Sequence, residues 1–257
     1  MRKAIIRKLE ELERDHSIKI LYAVEAGSRA QGSSSSASDY DVRFIYMHKK
    51  EWYLSLDKKK DTIEFKEENL DMSGWELAKT LRLLRKSNIS LAEWLQSTIV
   101  YKTNNNFAKE LLDLYKTAFN TKTAFYHYLQ LAKNNWKDLE HKQGRIKLYY
   151  YCLKSILACK WIERMKQMPP NDIHQLQSEV NGSDKLHLEI SKLINLKASG
   201  DNQGEVLPIV DSYIEEELKH LQATGESMPA SIYNEREITL TLDSFFRKML
   251  NSYEWKE

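Results

Sequence analysis

The hydrophobic pattern of the chain changes near its middle, from a mixture of helix and strand periods to helix alone. Apolar residues recur at three- and four-residue spacing over residues 2–15, which predicts an amphipathic helix. Residues 18–24 form a compact apolar run typical of a buried strand. Residues 39–47 alternate as a strand does, with Asp39, Asp41, Arg43 and Ile45 on one face. We therefore expect a small sheet in this half.

Further along, the pattern predicts an extended segment over 62–72 that ends at Asp71. The Ser-x-x-Glu pattern of Ser73 and Glu76 is that of a capping box and predicts a helix to about Lys86. The same pattern at Ser90 predicts a short helix. The run 32–38, mostly serine, is predicted to be a surface loop.

After residue 104 nearly the whole pattern is helical. Pro169-Pro170 and two glycine-containing stretches interrupt it, and the predicted helices cover 105–118, 122–141, 144–166, 184–197, 208–223 and 240–253. The predicted fold class is α+β, with a small mixed sheet and helices in a first domain, 1–102, and an all-helical second domain, 103–257.

Composition excludes several classes of protein. Of the 257 residues, 42% are hydrophobic and 30% charged, which favours a soluble globular protein over a disordered one. No apolar stretch is long enough to span a membrane and no secretory signal is evident, so we expect a cytoplasmic protein with no membrane partner. Cys152 and Cys159 would lie about 10 Å apart along one helix, which excludes a disulfide between them. The sequence has no Cys/His pattern for zinc.

Charge is distributed unevenly along the chain. Residues 101–170 carry 13 Lys and Arg against 5 Asp and Glu, a net of +8, whereas residues 171–257 carry 8 against 16, a net of −8. The basic segment favours an anionic partner such as a polynucleotide or a triphosphate. A solvated helical face would carry the same charges, and both interpretations stay open.

Three features of the first half suit phosphoryl transfer. Gly27 and Ser28 follow the first strand at a predicted strand-to-helix turn, where a backbone without a side chain can approach a phosphate closely. Asp39 and Asp41 are two apart on a strand and project from the same face. With Asp71 as a third carboxylate, they could hold divalent cations and activate a hydroxyl. Each feature alone is commonplace, but carboxylates that share a face repel one another, so their combination favours a metal site.

Several other residues could assist. Arg43 shares the aspartate face and could neutralise a carboxylate or contact a phosphate, although a structural ion pair would explain it equally well. Arg29 has the same two interpretations. Lys147, Tyr151 and Lys154 share one face of a predicted helix, where they could stack on a base and hold a triphosphate, or lie over the core.

The spacing Gly-Ser, ten residues, Asp-x-Asp resembles the nucleotidyltransferase superfamily of DNA polymerase β. The stretch VEAGSRAQGSSSSASDYDVRFIY, with LDMSGWELAKTLRLLRKSN, is similar to the YcgL-type nucleotidyltransferases and their RlaP group, which is associated with RNA repair. The resemblance implies that Gly27 and Ser28 hold the nucleotide phosphates. It also implies that Asp39, Asp41 and Asp71 bind Mg²⁺ or Mn²⁺.

The function predicted from the sequence is therefore transfer of a nucleoside monophosphate from an NTP to a hydroxyl, with release of pyrophosphate. An RNA 3′ end is the acceptor that the family association and the basic segment favour. A small molecule or a protein hydroxyl would use the same carboxylates, and a non-catalytic nucleotide- or RNA-binding module is the alternative of a different class.

Overall fold

The fold is described from a computed structural model of the chain. The structure describes residues 1–32, 38–104, 106–141, 145–200, 207–229 and 234–253.

Five strands form one mixed sheet in the first half of the chain. Their order across the sheet is β3-β4-β2-β1-β5, and β2 pairs with β4 in parallel while the other neighbours are antiparallel. The strands are β1 (Lys19–Glu25), β2 (Tyr40–Met47), β3 (Thr62–Glu67), β4 (Leu70–Glu76) and β5 (Val100–Thr103).

Helices precede, connect and follow the strands. They are α1 (Arg2–Asp15), α2 (Gly27–Ala30), α3 (Lys50–Tyr53), α4 (Leu77–Arg85), α5 (Ile89–Leu95), α6 (Phe107–Thr117), α7 (Thr121–His141), α8 (Ile146–Met165), α9 (Ile173–Leu176), α10 (Asp184–Ser199), α11 (Pro208–Ser227) and α12 (Glu235–Ser252). A short 3-10 helix, Gln177–Glu179, follows α9. The predicted α+β fold class is confirmed. Among the described helices, none combines the length and the apolar content needed to cross a membrane.

One face of the sheet is buried against α1. Ile5 and Leu9 of that helix belong to the same buried cluster as Val42, Phe44 and Tyr46 of β2. The alternation of β2 puts Asp41 and Arg43 on the opposite face, as its period of two requires. The predicted division of this strand into a polar and an apolar face is confirmed, except that Ile45 is buried.

Two local predictions in this region are wrong. The segment 62–72 is not a single strand but a hairpin, in which β3 and β4 pair antiparallel, and Asp71 lies near the start of β4. Ser73 is a strand residue rather than a cap. Glu76 itself caps α4, because its carboxylate accepts hydrogen bonds from the amides of Ala78 and Lys79.

The cap of α5 was also predicted wrongly. The helix starts two residues earlier than the Ser90 pattern indicates, and the Asn88 side chain accepts the amide of Leu91. The long helices of the second half are confirmed to within a few residues, with the last one starting at Glu235 rather than at residue 240.

The chain separates into two compact units. The first contains residues 1–27 and 39–118 together with the described part of 233–257, and the second contains 28–38 and 119–232. This division differs from the predicted boundary at residue 102, since α6 and α12 belong to the first unit. The domain limits of the sequence analysis stay a prediction.

The second unit is helical, and α8 lies at its centre. This helix packs against α7, α10 and α11, and residues from Cys152 to Lys160 are buried without a break. Both cysteines are free. Because α8 is covered on most sides, its pattern lacks the polar stripe that marks a surface helix.

Candidate active site

Two aspartates meet at the centre of the sheet. The parallel pairing of β2 with β4 places Asp41 directly opposite Asp71. Neighbouring strands lie about 4.8 Å apart and laterally paired side chains project from the same face, so the two carboxylates are side by side. Residues thirty apart in the sequence are thus brought together by strand pairing.

A single arginine joins the two carboxylates. Arg43 donates from Nη1 to Asp71 Oδ1 over 2.5 Å and from Nη2 to Asp41 Oδ1 over 3.1 Å. It also donates to the Asp71 carbonyl oxygen. All three side chains keep contact with solvent, with exposed fractions of 21% for Arg43, 31% for Asp41 and 38% for Asp71. The Arg43 guanidinium therefore contacts both carboxylates on a face that water reaches.

The glycine turn is packed against one member of this pair. Gly27 has φ = +57°, and a Cβ atom built there would lie 2.1 Å from Asp41 Oδ2. Only glycine fits, because an added methyl group would displace the carboxylate. The amide of Ala26 donates to the Asp41 carbonyl oxygen over 2.7 Å, which ties the same turn to β2.

Glu25 holds the end of β1 to the start of β2. It is fully buried, and its Oε1 accepts the Asp41 amide at 2.8 Å while its Oε2 accepts the Tyr101 hydroxyl at 2.5 Å. Burial, followed by the hydrogen bond to Glu25, raises the pKa of Tyr101. Ser97 donates to the Glu25 carbonyl oxygen. The sequence analysis missed Tyr101 and Ser97, although a carboxylate that ends an apolar strand signals a need for such partners.

The other candidates of the first half lie close by in the sequence. Asp39 is exposed and immediately precedes β2. Ser28 and Arg29 are half-buried in α2, and Arg29 donates to the Ser38 carbonyl oxygen over 2.7 Å. The helix at the predicted strand-to-helix junction begins at Gly27 and is a single turn of four residues. The roles predicted for these residues stay predictions.

The candidates of the helical unit lie on α8 but differ in exposure. Lys147 is exposed, Tyr151 is half-buried, and Lys154 is buried and donates to Asn171 Oδ1 over 2.7 Å. The hydrogen bond gives Lys154 a packing role inside its own unit. Nucleotide binding by the three residues stays a prediction.

The donor set can be compared with what a divalent cation requires. Among the residues that the structure describes, no three or more Asp, Glu, His or Cys side chains form a group that could hold a metal ion. Magnesium often takes only one or two carboxylates from the protein and completes its shell with substrate phosphates and water. The side-by-side pair of Asp41 and Asp71 fits that smaller requirement, and assignment of all three aspartates to a metal stays a prediction.

The mixed sheet and its helices define an α+β protein, with a pair of carboxylates at the centre of the sheet. The family model described as "RlaP: RNA repair pathway DNA polymerase beta family" matches residues 1–248. The chain belongs to this family.

One known protein is similar to this chain in sequence, and a solved structure aligns with it at low identity. The chain is 40% identical over 263 aligned residues to "Uncharacterized protein YcgL" of Bacillus subtilis (strain 168), with 100% of this chain and 99% of that protein covered. A nucleotidyltransferase-like protein from Exiguobacterium sibiricum 255-15 aligns with 96% of this chain and 92% of its own, at 11% identity and a TM-score of 0.36. The family confirms the resemblance seen in the sequence.

Proposed function

We propose that this chain transfers a nucleoside monophosphate from an NTP to the 3′ hydroxyl of an RNA, with release of pyrophosphate. One observation carries the proposal: Asp41 and Asp71 stand side by side on parallel strands, and the Gly27 turn packs against Asp41. Carboxylates beside a turn with no side chain suit a triphosphate and its cations.

The aspartates and the Gly27 turn have separate roles in the proposed transfer. Asp41 and Asp71, with Asp39 at the start of β2, would hold Mg²⁺ or Mn²⁺. The ions would supply positive charge to the phosphate oxygens when bound. Gly27 and Ser28 would hold the phosphates through their amides and the serine hydroxyl.

Asp71 is the proposed base. It accepts the proton of the acceptor hydroxyl as the oxygen forms its bond to the α-phosphorus and the bond to pyrophosphate breaks. Arg43, which contacts both carboxylates, keeps them aligned and neutralises part of their charge. Arg29 would add a second positive charge near the phosphates.

Two observations support RNA as the acceptor. The family description names an RNA repair pathway. Residues 101–170 carry a net charge of +8, which favours a polyanion and makes its binding sensitive to salt. In that segment, Lys147 and Tyr151 are accessible enough to contact a nucleotide, whereas Lys154 would act through Asn171.

The test follows the label of each α-³²P NTP in the presence of magnesium or manganese with total RNA and with a protein extract. We expect label in RNA, lost with Asp41→Asn and retained with Asp57→Asn, an exposed aspartate in a loop of the same unit. Label in protein or in a small molecule, instead of RNA, would show that the acceptor is not RNA. A wild-type protein that binds NTP but labels nothing would contradict the enzyme and favour a binding module.

A further inference from the structure

A cavity of about 530 Å³ opens beside Asp71 on the side away from the Gly27 turn. Its volume is within the range of about 300–1,000 Å³ that small-molecule sites occupy. All of its lining belongs to the first unit, and it includes Arg43, Asp71, Ser73, Trp75, Ser90 and Trp94.

Two indoles, with Phe65 and Met72, form the apolar part of the lining. The rings of Trp75 and Trp94 stack with their centroids 3.8 Å apart and their planes at 32°. Trp94 is buried, at 5% exposure, whereas Trp75 is half-buried and lies on β4. The capping pattern of Ser73 and Glu76 predicted a helix here, whereas Trp75 lies on β4. In the structure a buried indole supports a more accessible one.

Strand β4 supplies three different chemical groups to this lining. Asp71, Ser73 and Trp75 are two residues apart and project from the same face of the sheet, over about 13 Å of strand. They present a carboxylate, a hydroxyl and an aromatic ring in a row. A nucleotide offers the matching sequence of groups, from its 3′ hydroxyl through its sugar to its base.

The order of the strands separates the cavity from the turn proposed to hold phosphates. Gly27 follows β1, which pairs with one edge of β2, whereas β4 pairs with the other edge. The NTP phosphates would therefore lie on the Asp41 side of the pair. The cavity lies past Asp71, where the attacking hydroxyl has to come from.

We propose that this cavity is the acceptor subsite and receives the terminal nucleobase of a single-stranded polynucleotide, stacked on Trp75. The proposal rests on the proposed function, since Asp71 is its base there. Bases of any identity stack on an indole, so the subsite recognises a polynucleotide end with little sequence preference. Ser73 and Ser90 provide hydroxyls for the sugar and the base edge.

The test measures binding and needs no transfer. A fluorescent single-stranded RNA is titrated with wild-type protein, with Trp75→Leu and with Trp75→Phe, and each is compared with the same RNA carrying an abasic 3′-terminal nucleotide. Trp52→Leu is the matched control, because Trp52 is half-buried in the same unit and stacks on His48 outside the cavity.

We expect Trp75→Leu to weaken RNA binding by about 10- to 100-fold, with Trp75→Phe and Trp52→Leu close to wild type. The abasic end should weaken binding to wild-type protein by a similar factor and have little further effect on Trp75→Leu. The affinity for a fluorescent ATP analogue should not change. Because the abasic comparison uses wild-type protein, it stands even where a variant fails to fold.

Equal binding of intact and abasic RNA by the wild type would overturn the subsite, and so would an absence of RNA binding. A loss of ATP affinity instead of RNA affinity would assign the cavity to the incoming nucleotide. Failure of the proposed function is distinguishable, because base-dependent binding without label transfer contradicts the activity alone. Asp41-dependent transfer that ignores the terminal base contradicts the subsite alone.

Discussion

The two units use charged side chains in different ways. In the helical unit, two ion pairs are one-to-one: Lys160 pairs with Glu217, and Arg164 pairs with Glu179. At the centre of the sheet, Asp41 and Asp71 share the single guanidinium of Arg43.

The number of carboxylates that each cation contacts differs between the two units, and so does the expected effect of removing one partner. Removal of one partner from a buried one-to-one pair leaves an uncompensated charge. Two carboxylates that project side by side from one face repel each other, and a bound cation relieves that repulsion. We therefore propose that a further cation binds at the carboxylate pair of the sheet rather than at the paired charges of the helical unit.

The largest effect should come from the shared carboxylates. Asp71→Asn removes the proposed base and should slow transfer by about 10²- to 10⁴-fold in single-turnover assays. Because the change also removes repulsion from Asp41, the free energy of unfolding in urea should fall by little or rise. A large loss of stability with retained transfer would make the pair structural.

The opposite result is expected in the helical unit. Lys160 and Glu217 have side-chain exposures of 10% and 13%, so Glu217→Gln should lower the free energy of unfolding by about 3 kcal/mol. Glu215→Gln, at an exposed position of the same helix, is the control. Equal stability of the two variants would remove the contrast between the units.

Gly27→Ala tests the packing of the turn against the pair. The backbone at φ = +57° should cost about 1–2 kcal/mol with any side chain, and the new Cβ should also displace Asp41. Gly32→Ala is the control, because Gly32 has φ = +69° and nothing within 4 Å of its built Cβ. Transfer should fall with Gly27→Ala and not with Gly32→Ala. An equal fall in both variants would show that backbone strain, and not the displacement of Asp41, causes the loss.

Tyr101→Phe removes the hydroxyl that donates to buried Glu25. We expect a loss of about 1 kcal/mol in urea unfolding, since Glu25 keeps the Asp41 amide as a donor. NTP affinity should decrease slightly as the strand ends loosen. An unchanged unfolding free energy would show that the hydroxyl contributes nothing to the anchor.

The smallest effect concerns pH. Burial, with Lys59 and His16 nearby, lowers the pKa of His48 to about 4 from an ordinary value of 6.5. The unfolded chain therefore takes up this proton first, and stability should be lost as the pH falls from 6.5 towards 4. His48→Phe keeps a ring beside Trp52 and should reduce that loss. Parallel urea-midpoint curves for the two proteins would contradict it.

The sequence predicted those strands and helices that a short stretch of residue pattern identifies. The alternation of 39–47 identified the face of Asp41 and Arg43, because a period of two follows from strand geometry alone. The long helices followed from their apolar spacing. The hairpin of β3 and β4 was missed because Glu68 and Asn69 at its turn are a weak signal, without glycine or proline.

The site itself depends on contacts that sequence spacing does not encode. The opposition of Asp41 and Asp71 results from parallel pairing across the sheet, and the position of Trp75 on the same face follows from the length of β4. The Ser73 pattern indicated a helix cap, and that local signal was overridden because the strand continues to Glu76. The motif residues were thus predictable. The contacts of Tyr101 with Glu25 and of Trp94 with Trp75 were not.

The central claim is that the carboxylate pair binds a divalent cation together with a nucleotide, and titration of Mn²⁺ followed by electron paramagnetic resonance tests it most directly. With a non-hydrolysable NTP present, the wild type should bind Mn²⁺ saturably. Asp41→Asn should weaken that binding by at least about 10-fold, and Asp57→Asn should leave it unchanged. Binding that does not depend on nucleotide, or that persists undiminished in Asp41→Asn, would contradict the account.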